Sequence, residues 1–283
     1  MNFINIDLGA LERSEDKRDI NLDKLKIYGG VSTPVLDVYL PDYSWLQRNY
    51  QGQTPSCGPH AASHAKAILE HIENLNQIQR YSPRYLWIKD KNLIDKTPLE
   101  NGTDMRSLLQ SLQSYGICDF ELLGNDITLP LDTYSSLSAI TPTIDDNART
   151  KIISKYGFSW NIDFQSIKSL IKQNAIVILL IKVDDGFWGT NNPTFTNALY
   201  GHFVIANGYD ETSIRVLDSA DPNDQYAVKF IDQKYITPPF VLEIGTIVDM
   251  PNWQAAILTD PNPLVRKMAY SIINLINSFK SNS

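Results

Sequence analysis

Cysteine is scarce: two in 283 residues, Cys57 and Cys118, which excludes a disulfide-framed scaffold. At most one bridge is available, and a reducing compartment is the simpler expectation. Long apolar runs are also missing. The most hydrophobic stretch, AIVILLIKV at 175–183, has nine residues, whereas a helix across a bilayer needs about twenty. It reads as a buried strand, and no membrane span is expected. A basic excess is absent too, since 25 Lys and Arg against 32 Asp and Glu leave a net charge of −7 with no long basic run. Nucleic acid is therefore not an expected partner. The opening MNFINIDLGALERSEDKRD has no basic start followed by an apolar stretch, so no secretory signal is expected. The expected address is intracellular and cytoplasmic, with a virion or signal-independent export as alternatives. Asn101-Gly102-Thr103 matches a glycosylation acceptor, which matters only in an exported chain. No internal repeat or low-complexity tract is present.

What remains is an ordinary globular composition, 43% hydrophobic and 20% charged. It has room for one large domain or a two-lobed one. Residues 1–45 are polar and weakly periodic, with charges clustered at ERSEDKRD, and read as a leader packed on a main domain at 46–258. From Ser56 to about Leu75, Ala61, Ala65, Ile68, Leu69, Ile72 and Leu75 fall on one helical stripe. Ser82-Pro83 starts a second helix, with Ser82 as N-cap. Thr103 or Asp104 caps a third, MRSLLQSLQSYG, which Gly116 ends. The half at 46–145 is thus mostly helical. After about residue 150 one more helix, DFQSIKSLIKQ, precedes five short β-rich runs: AIVILLIKV, HFVIANGY, SIRVLDS, YAVKFI and FVLEIGTIV. The final LVRKMAYSIINLINSF, within 259–283, reads as an amphipathic helix. It docks on its own domain or serves as an assembly-binding surface.

A thiol nucleophile needs a lowered pKa, a base, a group that orients the base, and donors for an oxyanion. The start of a helix at Cys57 supplies the first. Of the four histidines, His60, His64 and His71 share that helix, and at its positive end His60 would be a poor proton acceptor. His202 opens a strand in the opposite half, and Asp218 ends the next strand sixteen residues on. Two antiparallel strands return that carboxylate to the imidazole. Gln51, six residues before the cysteine, fits as the oxyanion donor, its amide beside the backbone N–H of Cys57.

QGQTPSC resembles the signature of the papain-like cysteine peptidases, in which a glutamine precedes the catalytic cysteine by six residues. YGHFVIANGYDETSIRVLD resembles the family's histidine strand and the strand carrying its orienting residue. RYSPRYLWIKDKN and NGTDMRSLLQSLQSYGICD resemble its next helical regions, and SEDKRDI with WLQRNYQGQ resembles the lead-in of bacterial and viral members. The likeness runs from about residue 12 to 245. It implies an α+β, papain-like two-lobed fold: a helical lobe, an antiparallel β-barrel-like lobe and an active-site cleft between them. It also implies catalysis by Cys57, His202, Asp218 and Gln51, with no cofactor. The departures are Gly58 where the family has tryptophan, Asp218-Ser219-Ala220-Asp221 in place of Asn-Ser-Trp-Gly with its shielding tryptophan, and a missing glycine pair. Cys-Gly-Pro and a third-position aspartate instead resemble bacteriocin-leader-processing peptidases.

Simpler readings stand beside these. Cys57 and Cys118 could be core residues, and Asp218 a turn cap. His60 and His64, four apart, could hold a metal but lack a third ligand of matching spacing. Phe187, Trp188 and Gly201 are the candidate substrate-binding residues, the aromatics lining a pocket or covering the β half. Three functions follow: a peptidase on peptide or protein substrates, self-inhibited by its N-terminal segment around Leu11 to Asp19; a transglutaminase- or amidase-like acyl transferase; and a papain-like binding scaffold of a phage or secretion apparatus.

Overall fold

Alanine shapes the helix that carries Cys57. Helix α1 spans Cys57–Glu73, and Ala61, Ala62, Ala65 and Ala67 are buried around it together with Ile68 and Leu69. A helix buried on all sides belongs between layers, and small side chains let both layers approach its backbone. In this computed structural model the described residues are 9–14, 16, 19, 37–73, 78–160, 162–172 and 175–248. The chain forms two compact units, Met1–Val248 and Asp249–Ser283. The expected C-terminal helix belongs to the second and lies outside the described residues, as do Leu75 and most of the leader. Ile72, expected to face inward, is exposed.

On one side α1 packs against α2 (Pro83–Lys89) and α3 (Met105–Tyr115). Ser82 caps α2, accepting the Tyr85 N–H at 3.1 Å. Of the two caps expected for α3 it is Asp104 that serves, accepting from the Arg106 and Ser107 N–H groups at 2.9 and 3.1 Å. Thr103 turns away and donates to the buried Asp90 carboxyl. Gly116, at φ 71°, ends α3. Two short helices not foreseen from sequence, α4 (Leu131–Tyr134) and α5 (Pro142–Arg149), complete the helical half.

On its other side α1 meets a six-stranded antiparallel sheet. Its strands are β3 (Lys155–Ser159), β4 (Ile176–Val183), β5 (Tyr200–Tyr209), β6 (Ser213–Leu217), β7 (Val228–Asp232) and β8 (Val241–Val248), in the order β3-β8-β4-β5-β6-β7. The two edges, β3 and β7, do not pair, so among the described residues the barrel-like lobe expected from sequence is an open sheet. Strand β3 has no clear apolar run and was not foreseen; it is held by its pairing with β8. The unbroken apolar run of β4 follows from burial on both faces. Ile176, Ile178 and Leu180 join the core around α1 and α3. Val177, Leu179, Ile181 and Val183 join a second core with helix α6 (Phe164–Lys172) and the aromatics Phe187 and Trp188. A two-residue parallel pairing of β1 (Ala10–Leu11) with β2 (Thr103–Asp104) brings the N-terminal segment onto the domain.

Candidate active site

Cys57 sits at the first turn of α1, fully buried. Burial pushes its thiol up to about 12, against the downward pull of the backbone N–H groups of Phe203, Gly58 and Cys57 itself. The pull from Phe203 places the sulfur beside β5, one residue from His202. Close packing there depends on Gly58: a Cβ on it would lie 3.2 Å from the Phe203 ring and 3.0 Å from Thr103.

His202 Nε2 and Asp218 Oδ1 are 2.8 Å apart, both side chains fully buried. Burial raises the Asp218 carboxyl, but the His202 hydrogen bond, the charges of His202 and Lys229, and the Ala220 N–H together hold it below the usual carboxylate range. An ionised carboxylate only accepts, so Nε2 carries a proton, and in the neutral imidazole Nδ1 keeps its lone pair. Nδ1 is buried and makes no hydrogen bond. An imidazole held through one nitrogen with the other free is the arrangement a general base requires. Asp218 also caps its turn, accepting from Ala220 N–H at 2.8 Å and Asp221 N–H at 3.1 Å. The turn-cap and orienting readings of this residue are compatible.

Gln51 is buried between the loop before α1 and the Asp218 turn. Its Nε2 donates to the Thr54 carbonyl at 3.0 Å, its Oε1 accepts from Ser219 Oγ at 2.8 Å, and its backbone N–H donates to the Ser219 carbonyl. The glutamine therefore joins the cysteine loop to the aspartate turn. Phe187 and Trp188, buried on the loop between β4 and β5, both meet the imidazole of His202 edge-on, at 5.7 and 5.8 Å between ring centres. The tryptophan missing from the Asp218 segment thus has a counterpart arriving from another loop.

Behind these lies a buried group that sequence reasoning missed. Lys229 Nζ donates to Asp221 Oδ2 at 3.0 Å and to the Thr190 carbonyl at 3.1 Å, and lies 3.7 Å from Asp218 Oδ2. Arg48 donates to the Asp218 carbonyl at 2.8 Å and to the Asp221 carbonyl. A lysine in phase with Ile231 on β7, at an inward position, was the available signal.

The other two buried histidines are structural. Nδ1–H of His60 donates to the Ser56 carbonyl at 2.8 Å, and its Nε2 accepts from Asn125 at 2.9 Å. Nε2 of His64 accepts the Asn49 N–H at 2.9 Å. Burial holds these imidazoles at about 4 and about 3. Cys118 is buried in a small separate core beside Tyr85 and Ile88.

The N-terminal segment lies across the site. Gly9 accepts the Thr103 N–H at 2.7 Å, and a Cβ on Gly9 would sit 1.9 Å from the carbonyl oxygen of Pro55, two residues before Cys57. A Cβ on Gly201, the residue before His202, would sit 2.3 Å from the Ala10 carbonyl. Residues 9 and 10 thus occupy the space between the cysteine loop and the histidine strand. Glu12–Lys182 and Arg106 with Asp16 and Asp19 fasten the segment further on.

A helical half and an antiparallel sheet meeting at a helix-borne cysteine, with a histidine on the facing strand, define the papain-like cysteine peptidase fold. Among solved structures the chain is similar to xylellain, a cysteine protease from Xylella fastidiosa, with 16% identity over 87% of this chain and 97% of that one and a TM-score of 0.71. It is also similar to procathepsin L2 of the Tenebrio molitor larval midgut (12% identity, 88% and 81% covered, TM-score 0.68). A third likeness is to procathepsin B S9 of Trypanosoma congolense (11% identity, 87% of each chain, TM-score 0.66). No protein-family model and no curated protein matches the sequence.

Proposed function

We propose that this chain is a cysteine peptidase that hydrolyses peptide bonds through a thioester on Cys57. The observation that carries this is the buried dyad: His202 is anchored to Asp218 through Nε2 with Nδ1 unpaired, and Phe203, the next residue on β5, meets Cys57 through its backbone N–H. Nδ1 takes the thiol proton as sulfur attacks the carbonyl carbon, then delivers it to the leaving amine. Water repeats the sequence to release the acid and restore the thiol. The developing oxyanion is stabilised by the backbone N–H of Cys57 at the start of α1 and by the Gln51 side-chain amide. In the resting chain residues 9–11 cover the cleft and keep Cys57 dry, so the neutral thiol is the stored form. This fits the proforms among the similar structures.

The test is labelling of Cys57 by an uncharged epoxide, read by intact mass and site mapping between pH 5 and 9. It uses the full-length Gly9→Ala variant, whose extra methyl cannot fit against Pro55. Labelling of Cys57 well below pH 8.5, lost when His202→Ala is added, is expected. Equal slow labelling of Cys57 and Cys118 in both proteins would reject the peptidase. Incorporation of a free amine in place of water would favour acyl transfer.

A further inference from the structure

Resting on the peptidase reading, we infer that the cleft contains an arginine-specific subsite built by Glu243, Asp104, Phe158 and Trp160, and that its preferred substrates carry arginine close to the scissile bond. In the resting chain the protein's own Arg13 fills it.

Arg13 follows Ala10, whose carbonyl rests on Gly201, by three residues. An extended chain covers at most about 3.5 Å per residue, so Arg13 branches from the backbone within roughly 10 Å of Ala10. There it leaves solvent, with 9% of its side chain exposed. It pairs through Nη2 with Glu243 on β8. Its Nε approaches Asp104 Oδ1 at 3.8 Å without making a hydrogen bond. Its flat face lies 4.2 Å from the ring centre of Phe158 and 5.0 Å from that of Trp160. The remaining partner, Asp19 at 2.7 Å, belongs to the covering segment and departs with it.

The parts that stay with the domain are therefore a buried carboxylate, a second carboxylate and two aromatic faces. Glu243 is only 1% exposed, and its second oxygen has no hydrogen-bond partner. With the segment gone, the ionised carboxylate and its acidic neighbour Asp104 have lost their cation, and the vacated pocket attracts a new one. Aromatic faces around the charge favour a planar guanidinium over the compact ammonium of lysine. A peptide that follows the groove vacated by residues 9–13 presents its side chains to the same surfaces.

The test measures binding rather than turnover, so it is independent of the chemistry at Cys57. Full-length Gly9→Ala/Arg13→Ala protein is titrated calorimetrically with acetyl-Leu-Arg-Gly-amide and with the same peptide carrying citrulline, a neutral isostere. The arginine peptide is expected to bind at least tenfold more tightly than the citrulline peptide, and more tightly than it binds the unmodified chain. Adding Glu243→Gln should reduce the ratio to less than twofold. Equal affinities, no binding of either peptide, or an unchanged ratio after Glu243→Gln would each overturn the subsite. The arginine-to-citrulline comparison stands even if the Glu243→Gln protein does not fold. A peptidase lacking this subsite still shows histidine-dependent labelling of Cys57, which separates the two failures.

Discussion

Lys229 Nζ stands 3.7 Å from Asp218 Oδ2 with neither side chain touching solvent. The carboxylate that anchors His202 is thus itself held by a buried cation, shared with Asp221. Replacing Lys229 by methionine leaves two buried carboxylates without a counter-charge. Breaking such a group by removing one partner costs about 3–5 kcal/mol. Denaturant unfolding of Lys229→Met at pH 7 should show a loss of that size. A loss below 1 kcal/mol would mean the lysine is a spectator.

Trp188 and Phe187 fix the plane of the imidazole by packing on it edge-on. An aromatic contact of this type contributes about 0.5–1.5 kcal/mol, a rate factor of up to about tenfold. Trp188→Ala, made in the Gly9→Ala background, should slow epoxide labelling of Cys57 by that factor. It should leave the labelling rate of Cys118 unchanged. No change at Cys57 would assign Trp188 to core packing alone.

His60 and His64 are neutral in the fold, held by burial at about 4 and about 3. The unfolded chain protonates both near pH 6.5. Between that pH and about 4 the unfolded state binds more protons at these two sites, so their contribution falls as pH falls, against the opposite contribution of Asp90 and Glu243, whose carboxyls burial pushes up to about 7. The depressed Asp218 carboxyl acts in the same direction as the histidines at lower pH: its contribution is present above the unfolded carboxylate pKa and is lost as pH falls through the folded one. The two histidines together should cost on the order of several kcal/mol at pH 4. Urea unfolding at pH 4.5 and 7 should show that His64→Gln, which keeps an acceptor for Asn49, is more stable relative to the unmodified chain at pH 4.5 than at pH 7.

Glu243 responds to pH in the opposite sense. Burial, with the charges of Asp104 and Asp19, pushes its carboxyl up to about 7, while Arg13 pulls it down. Because Arg13 insertion lowers this pKa, linkage makes insertion weaker as pH falls below that range. Labelling of Cys57 in the unmodified chain by an uncharged epoxide should therefore accelerate from pH 8 to 5.5, although an uncovered thiol would slow. Glu243→Gln should remove the acceleration.

Much of this architecture is legible in the chain. Ser82-Pro83 and Asp104 announce helix starts through backbone chemistry alone, and AIVILLIKV declares a strand buried on both faces. His202 and Asp218 could be paired because antiparallel strands return neighbouring ends to each other. The partners of that pair were not legible. Lys229 and Glu243 lie on strands, where charge usually marks a solvent face, and only contacts from Asp221 and Arg13 explain their burial. The role of Trp188 depends on a loop path, which periodicity does not encode. Arg13 is one charge in the cluster ERSEDKRD until the fold shows which of them leaves water.

Helix α1 is gripped by the helical half on one side and by β4 and β5 on the other. Neither side can peel away without exposing its alanines and the isoleucines that face them. The cysteine is consequently mounted on the segment that has least freedom to open alone, whereas the strip of backbone covering it is held by a few ion pairs and a two-residue pairing. Amide protons at Ala65 and Ile68 should exchange only through global unfolding, and those of Ala10 and Leu11 orders of magnitude sooner. The molecule is thus graded in time as well as space: a slow clock carries the cysteine, and a fast one governs its uncovering.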